Sequence, residues 1–291
     1  MTVQISSLGE VADRFDVAVL DQFGVLHDGR RPFPEVNHAL EWLRRTNKGL
    51  VILSNSGKRA DLNRARIGSL GLDLRQDDHV VTSGEVCWHD LDSGVFVVSK
   101  NGPQRLFAIA GREGDAETWA SGNRGVELVF DLESADAVLL MGVPGEGSAG
   151  NAENVLTQAL DRDIPLVCSN PDRSRYLDGR IAPATGSLAD TYSDRGGRVS
   201  WYGKPHGAVF DAVCSIFPDI SRKRILMVGD SLEHDVAGAR KAGLATAFVY
   251  GGIHASEFAG LTEGESIAER LEHLVGTFSG SEPDFALPIL T

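Results

Sequence analysis

Cysteine is scarce in this chain: three residues among 291, with Cys87, Cys168 and Cys214 far apart and without CxxC spacing. An odd, scattered set excludes a disulfide scaffold and a structural zinc site, and it reads as reduced, partly buried thiols of a cytosolic protein. Positive charge is also short, with 28 Lys and Arg against 41 Asp and Glu and a net charge of −13 at pH 7. No window is a dense basic run, so nucleic acid and anionic membrane are poor partners, and the acidity serves solubility. Long apolar runs are missing too. The start, MTVQISSLGEVADRFD, carries acids and no apolar stretch, and no later segment approaches a membrane span, so a cytoplasmic protein is expected. Internal repeats and low-complexity segments are not evident.

What is present suits a large core, since 42% of the residues are hydrophobic. The length exceeds what most single cores hold, so one large α/β domain or a core with an inserted domain is expected. Short apolar runs alternate with helical patterns, the signature of parallel strands with crossover helices. VAVLD (17–21), LVILSN (50–55), RILMVGD (224–230) and LATAFVY (244–250) read as strands. EVNHALEWLRRT (35–46), residues 59–70 ending at Gly71, and HDVAGARKAG (234–243) read as helices. Between these flanks VFVVSK, ELVF, AVLLMGVP and PLVCSN read as strands, with helices near 103–110 and 151–161 and loops at NGP, SGN, PGEGSAG and DRGGR. The outer parts resemble halves of one sheet. The expected architecture is a doubly wound, Rossmann-like parallel sheet formed by residues 1–82 and 200–291, with 83–199 inserted as an α/β module. The tail SGSEPDFALPILT is expected to be loose or packed by its last apolar residues.

In an open parallel sheet, ligands bind beyond the carboxyl ends of the strands. Four polar clusters fall there: Asp21 after the first strand, Ser54 and Asn55 after the second, Asp230 after RILMVGD, and Lys204 in WYGKPHG. Any one alone is an ordinary turn or cap residue. Their combination in this order resembles the haloacid dehalogenase superfamily, in its class IIA branch of 4-nitrophenyl phosphatases, pyridoxal phosphate phosphatases and sugar phosphatases. DQFGVLHDG, LSNSGKR, GKP and GDSLEHDV resemble its four motifs, and CSNPD and TGSL resemble segments of the branch's cap, so the likeness spans nearly the whole chain.

The resemblance implies a phosphatase for a small phosphorylated metabolite, with the inserted module as a cap. Asp21 is then the nucleophile, forming an aspartyl phosphate that splits one hard displacement into two easier ones. A dianionic substrate repels that carboxylate, and Mg2+, a hard ion suited to carboxylates, waters and phosphate, offsets the repulsion. Its implied ligands are Asp21, the backbone carbonyl of Phe23 and Asp230, with Asp235 holding the metal's waters or acting behind them. Lys204 neutralises phosphoryl oxygens, while Ser54, Asn55 and Ser56 lead into a helix N-terminus as an anion cradle. Lys58 and Arg59 add charge there or are merely solvated. In NPDRSRYLDGRIAPATG, Arg173, Arg175 and Tyr176 are candidates for substrate contact, and Asp172 for contact or loop positioning. A homodimer through the cap is a family expectation, with Trp88, Trp119 and Trp201 as candidates for packing there.

Phe23 breaks the pattern. In the phosphatases this chain resembles, the residue two after the nucleophile is normally a second Asp that protonates the leaving alcohol and activates water. A phenyl ring has no exchangeable proton, and a positioned acid or base contributes about 100- to 10,000-fold. Three readings follow: a phosphatase that is slow or draws its proton from elsewhere, with His27 or Asp28 as candidates; a dehalogenase-like C–X hydrolase, whose leaving halide needs no proton; or a phosphate-site binding or regulatory protein with little turnover.

Overall fold

A computed structural model describes residues 2–99, 102–143, 149–177, 180–259, 266–278 and 280–291; the side chains of residues 149, 150, 175–177, 180 and 181 lie outside the described set. The chain divides into two compact units. One comprises Met1–Ser54, Arg64–Val81 and Lys204–Thr291, the other Asn55–Asn63 and Thr82–Gly203.

The first unit carries a seven-stranded sheet in the order Val3–Gln4, Phe285–Leu287, Ala245–Val249, Ile225–Gly229, Val17–Leu20, Gly49–Ser54, His79–Thr82. The pairings from Val3–Gln4 through Gly49–Ser54 are parallel, with Leu20 opposite Val228 on one side and Ile52 on the other. Every residue of Val17–Leu20 is buried, which is why it reads VAVL without polar alternation. Successive residues enter different apolar clusters: Ala247, Val249, Phe285 and Leu287 belong to one, Phe248 and Ala286 to another. Side chains on a strand alternate between faces, so both faces of the sheet are covered, as the doubly wound reading requires. Helix Val36–Arg45 shows the pattern that does the covering. It buries Val36, Ala39, Leu40 and Leu43 at helical spacing and ends on Arg44 and Arg45, which suit the negative end of its dipole.

The second unit holds a five-stranded sheet in the order Val199–Trp201, Leu166–Cys168, Ala137–Leu140, Gln104–Ile109, Val126–Val129, all parallel. Two expectations fail here. Helical spacing near 103–110 predicts a helix, yet Gln104–Ile109 is a strand paired on both sides. VFVVSK was assigned to a strand, yet residues 95–99 form no strand, and Val95 and Val97 are 76% and 50% exposed. The cause is local: the Gln104 side-chain oxygen accepts from the amides of Val98 and Ser99, using donors a sheet would need. Within NPDRSRYLDGRIAPATG, Ser174–Leu177 and Arg180–Pro183 pair antiparallel.

Asn55–Asn63 joins this second unit through specific contacts. Arg59 forms a forked pair with Glu85 at 2.6 and 3.0 Å and stacks over Trp88, Lys58 pairs with Asp115 at 2.7 Å, and the Thr82 hydroxyl donates to the Lys58 carbonyl at 2.6 Å. Trp119 is 1% exposed and donates its indole N–H to the Gly84 carbonyl, so it belongs to the interior and not to a docking surface. All three cysteines are free; burial pushes the Cys168 thiol up to about 12, which keeps it protonated and inert. The C-terminal tail is not loose, because Phe285–Leu287 is an internal strand of the first sheet and Leu290 is buried. Among the described residues no helix is long and apolar enough to cross a membrane.

Candidate active site

The sheet order of the first unit reverses between Val17–Leu20 and Ile225–Gly229. The chain runs outward from the first of these strands in one direction and from the second in the other, leaving a crevice at their carboxyl ends where open α/β sheets bind ligands. Asp21 follows one of these strands directly and Asp230 the other. The Asp21 amide donates to the Val228 carbonyl at 2.9 Å, which continues the ladder to the first residue of the site.

Around these two carboxylates a compact charged cluster forms. The Lys204 ammonium donates to Asp21 Oδ1 at 2.5 Å and to Asp235 Oδ1 at 2.7 Å, and it is 3% exposed. Asp235 lies in the π-helical segment Leu232–Ala237, where its Oδ2 accepts the Ser231 amide at 3.0 Å. Asp230 Oδ2 accepts the Ile253 amide at 2.7 Å. One ligand atom from each of Asp21, Asp230 and Asp235 lies within 4.8 Å of the other two. The backbone must pass close to this cluster, and glycine permits it. Gly24 has φ of 84°, and a Cβ there would lie 1.8 Å from Asp230 Oδ2; at Gly252 it would lie 2.2 Å from the same oxygen.

Charge does not balance inside the cluster: three carboxylates face one ammonium. Repulsion between carboxylates at this separation is on the order of 3–4 kcal/mol per pair at an effective dielectric near 20. Burial raises the Asp21 carboxyl, against the pull of Lys204. Burial, then the charges of Asp21 and Asp235, push Asp230 well above the ordinary carboxylate range. Burial would lower Lys204, but the two carboxylates it touches outweigh this and hold it above the usual lysine value. Oxygen ligands in excess of local positive charge are what a hard divalent cation takes. The donor set fits a hard divalent cation such as magnesium, which Asp21, Asp230 and Asp235 could hold.

The other residues named from sequence lie in varied settings. Phe23 is 45% exposed and meets the His27 ring edge-on at a centroid distance of 6.3 Å. His27 is not a solvated loop residue: it is 1% exposed, its Nδ1 accepts the Gly29 amide at 3.0 Å, and Nε2 has no partner among the described residues. Burial, helped by the charge of Arg66, lowers its pKa, so the ring is neutral with its proton on Nε2. Asp28 accepts the Arg30 and Arg31 amides, which hold it below the ordinary carboxylate range; ionised at neutral pH, it has no proton to give.

Ser54 ends the strand Gly49–Ser54 in the first unit, whereas Asn55 and Ser56 belong to the second. Asn55 Nδ2 donates to Asp172 Oδ1 at 2.8 Å, and the Asp172 amide is held by Asn170 Oδ1 at 3.1 Å. Asp172 thus holds the Asn55 side chain and is itself held by Asn170. Ser56 Oγ accepts the Lys58 amide at 3.3 Å. Lys58 and Arg59 are paired with Asp115 and Glu85 and are not merely solvated. Arg173 is half-exposed and pairs with Asp190 at 2.6 Å. The side chains of Arg175 and Tyr176 lie outside the described residues.

Three participants were not read from the sequence: Gly24, Gly252 and the Ile253 amide, all packed on Asp230. The GG pair directly after LATAFVY at a strand's carboxyl end was the available signal.

Comparisons with known proteins identify the family. The haloacid dehalogenase-like hydrolase model matches residues 18–121 and the HAD-hydrolase-like model residues 201–274. The chain belongs to the haloacid dehalogenase superfamily and is a hydrolase of it, with relatives of the class IIA kind. Human (Homo sapiens) chronophin is 29% identical over 85% of this chain and 85% of its own length. Dihydroxyacetone phosphatase from Corynebacterium glutamicum is 27% identical over 87% and 83%. A haloacid dehalogenase-like hydrolase from Brucella suis 1330 superposes with a TM-score of 0.79 at 27% identity, covering 99% of this chain and all of that one.

Proposed function

We propose that this chain is a magnesium-dependent phosphatase of a small phosphorylated metabolite, working through an aspartyl phosphate on Asp21. The observation that carries this reading is the convergence of Asp21, Asp230 and Asp235 within 4.8 Å around the Lys204 ammonium, at the crevice of a parallel sheet. Relatives named as phosphatases support it. When bound, magnesium supplies the charge that lets an anionic phosphoryl group approach an anionic nucleophile.

The chain's own residues do the rest. Lys204 orients the Asp21 carboxylate and keeps it ionised. An Asp21 oxygen forms a bond to phosphorus as the ester oxygen leaves with its electron pair. Water then attacks the acyl phosphate, releasing phosphate and restoring the carboxylate. In this reading Ser54, Asn55 and Ser56 hold phosphoryl oxygens, the Phe23 carbonyl joins the metal ligands, and Asp235 backs them. Residues 83–199 act as a cap that excludes water and selects the leaving group, with Arg173, Arg175 and Tyr176 toward substrate. Phe23 leaves the ester oxygen without a proton donor at that position, so turnover is slow for alkyl esters. This same feature favours a second reading, a phosphate-site binding protein with little turnover.

One screen separates the two. Purified protein is incubated with aryl, alkyl and acyl phosphates and with haloacids, with and without magnesium, and released phosphate and halide are measured. Multiple turnovers of metal-dependent phosphate release are expected; ligand binding without product would establish the second reading, and metal-free halide release would overturn both.

A further inference from the structure

We infer a second, non-catalytic anion site at the amino edge of the first unit's sheet, opposite the carboxylate cluster, which takes a small organic dianion with an apolar portion.

The topology builds it. Arg14 precedes the strand Val17–Leu20, Lys223 precedes Ile225–Gly229, Arg240 and Gly243 precede Ala245–Val249, and Asp284 precedes Phe285–Leu287. These four strands are neighbours in one parallel sheet, so the residues before them emerge side by side at the same edge. Together with Leu244, Ala245 and Phe285 they line a cleft of about 330 Å³. That is at the small end of ligand pockets, roughly 300–1,000 Å³.

The cleft holds both paired and unpaired cations. Arg222 pairs with Asp211, Arg224 with Asp16, and Arg240 with Asp284. Asp284 is further engaged by the Thr246 amide and hydroxyl at 2.9 and 3.1 Å. Arg14 and Lys223 have no ion-pair or hydrogen-bonding partner for their side chains among the described residues, although the chain as a whole carries a net charge of −13. Two cations therefore stay uncompensated over a floor made by the buried Leu244 and Phe285. Two cations open over apolar surface suit an anion whose charged end sits between them and whose body covers the floor. The guanidinium of Arg14 accepts phosphate or carboxylate geometry equally, so the class is set by charge and size.

The test is a calorimetric titration of the full chain with phenylphosphonate, and separately with succinate, in low-salt buffer containing a chelator. Amide hydrogen exchange is followed with and without each probe. Expected are saturable binding that weakens with added salt, protection in peptides covering residues 220–226 and 240–248, and affinity reduced about tenfold or more in Arg14→Gln/Lys223→Gln. Binding of phenylphosphonate but not succinate would narrow the class to phosphoryl compounds with the site intact. Protection confined to residues 19–24 and 228–236, unchanged affinity in the double variant, or no saturable binding of either probe would overturn the site. Hydrogen exchange needs no substitution, so the outcome does not depend on the variant's folding, and it reads differently from any failure of phosphate release.

Discussion

The two edges of the first unit's sheet carry opposite arrangements of charge. At the carboxyl edge, three carboxylates share one ammonium, and Lys204, Asp230 and Asp235 are each at most 3% exposed. At the amino edge, Asp16–Arg224, Asp211–Arg222 and Asp284–Arg240 pair one to one in partly solvated positions, with Arg14 and Lys223 beside them. The amino-edge pairs satisfy themselves and are individually weak, because water screens them. The carboxyl-edge cluster cannot satisfy itself, and burial magnifies the imbalance. Local destabilisation of this kind is what a site for a divalent ion and an anionic substrate requires, and the surrounding core supports it.

Substitutions can break or sharpen this contrast. The largest effect is expected from Asp21→Asn, which removes the nucleophile while keeping its shape: phosphate release should fall more than about a thousandfold, and undiminished release from a clean preparation would reject the proposed mechanism. Gly24→Ala should follow. Its Cβ would meet Asp230 Oδ2 at 1.8 Å on backbone with φ of 84°, so urea unfolding should report a loss of roughly 2–4 kcal/mol. Phe23→Asp should raise kcat on alkyl phosphates by about 10- to 100-fold if the missing acid limits turnover; an unchanged rate on alkyl and aryl esters alike would locate the proton donor elsewhere.

Asp230→Asn relieves the surplus of buried carboxylates. Chelator-treated protein should gain roughly 1–2 kcal/mol of stability, while the rise in Tm on adding magnesium should shrink; a loss of stability without metal would show that the imbalance costs the fold nothing. The smallest effect belongs to the amino edge. The hydrogen bond from Arg224, aided by its charge, holds Asp16 below the ordinary carboxylate range. Its contribution is therefore complete above the unfolded-state pKa near 4 and is lost as pH falls through the lower folded value. Asp16→Asn should flatten that acid limb by well under about 1 kcal/mol, since both partners are partly exposed.

Much of the fold was legible because burial on both faces writes itself into sequence as unbroken apolar runs. VAVL, LVIL and ILMV are strands for that reason, and Asp21, Ser54 and Asp230 fall at or just beyond their carboxyl ends. Legibility failed where a short run was apolar but its environment was undecided. VFVV and RLFAI look alike in hydropathy; the Gln104 side chain captures the amides of the first, and two neighbouring strands pair with the second. The tail strand was obscure for a related reason: FAL is only three residues, and its partners lie at Val3–Gln4 and Ala245–Val249, far away in sequence. In the candidate site, Asp21 and Asp230 were nameable because each follows a strand end and Lys204 because it closely follows Val199–Trp201, whereas Asp235 was named through the resemblance of GDSLEHDV to a family motif. The tie between Asn55 and Asp172, 117 positions apart, was not, because a side-chain hydrogen bond across that distance leaves no local pattern.

The sequence by itself determined the parallel α/β class and the polar residues at strand tips, since these depend on periodicity and residue chemistry, and its resemblance to a family marked Phe23 as the departure. Only the tertiary structure decided how charge is shared among the strand-tip side chains, that His27 is buried and neutral, and that separate basic residues share one cleft at the far edge. Those properties arise from distance and solvent exclusion between segments remote in the chain, and neither exists until the sheet has formed.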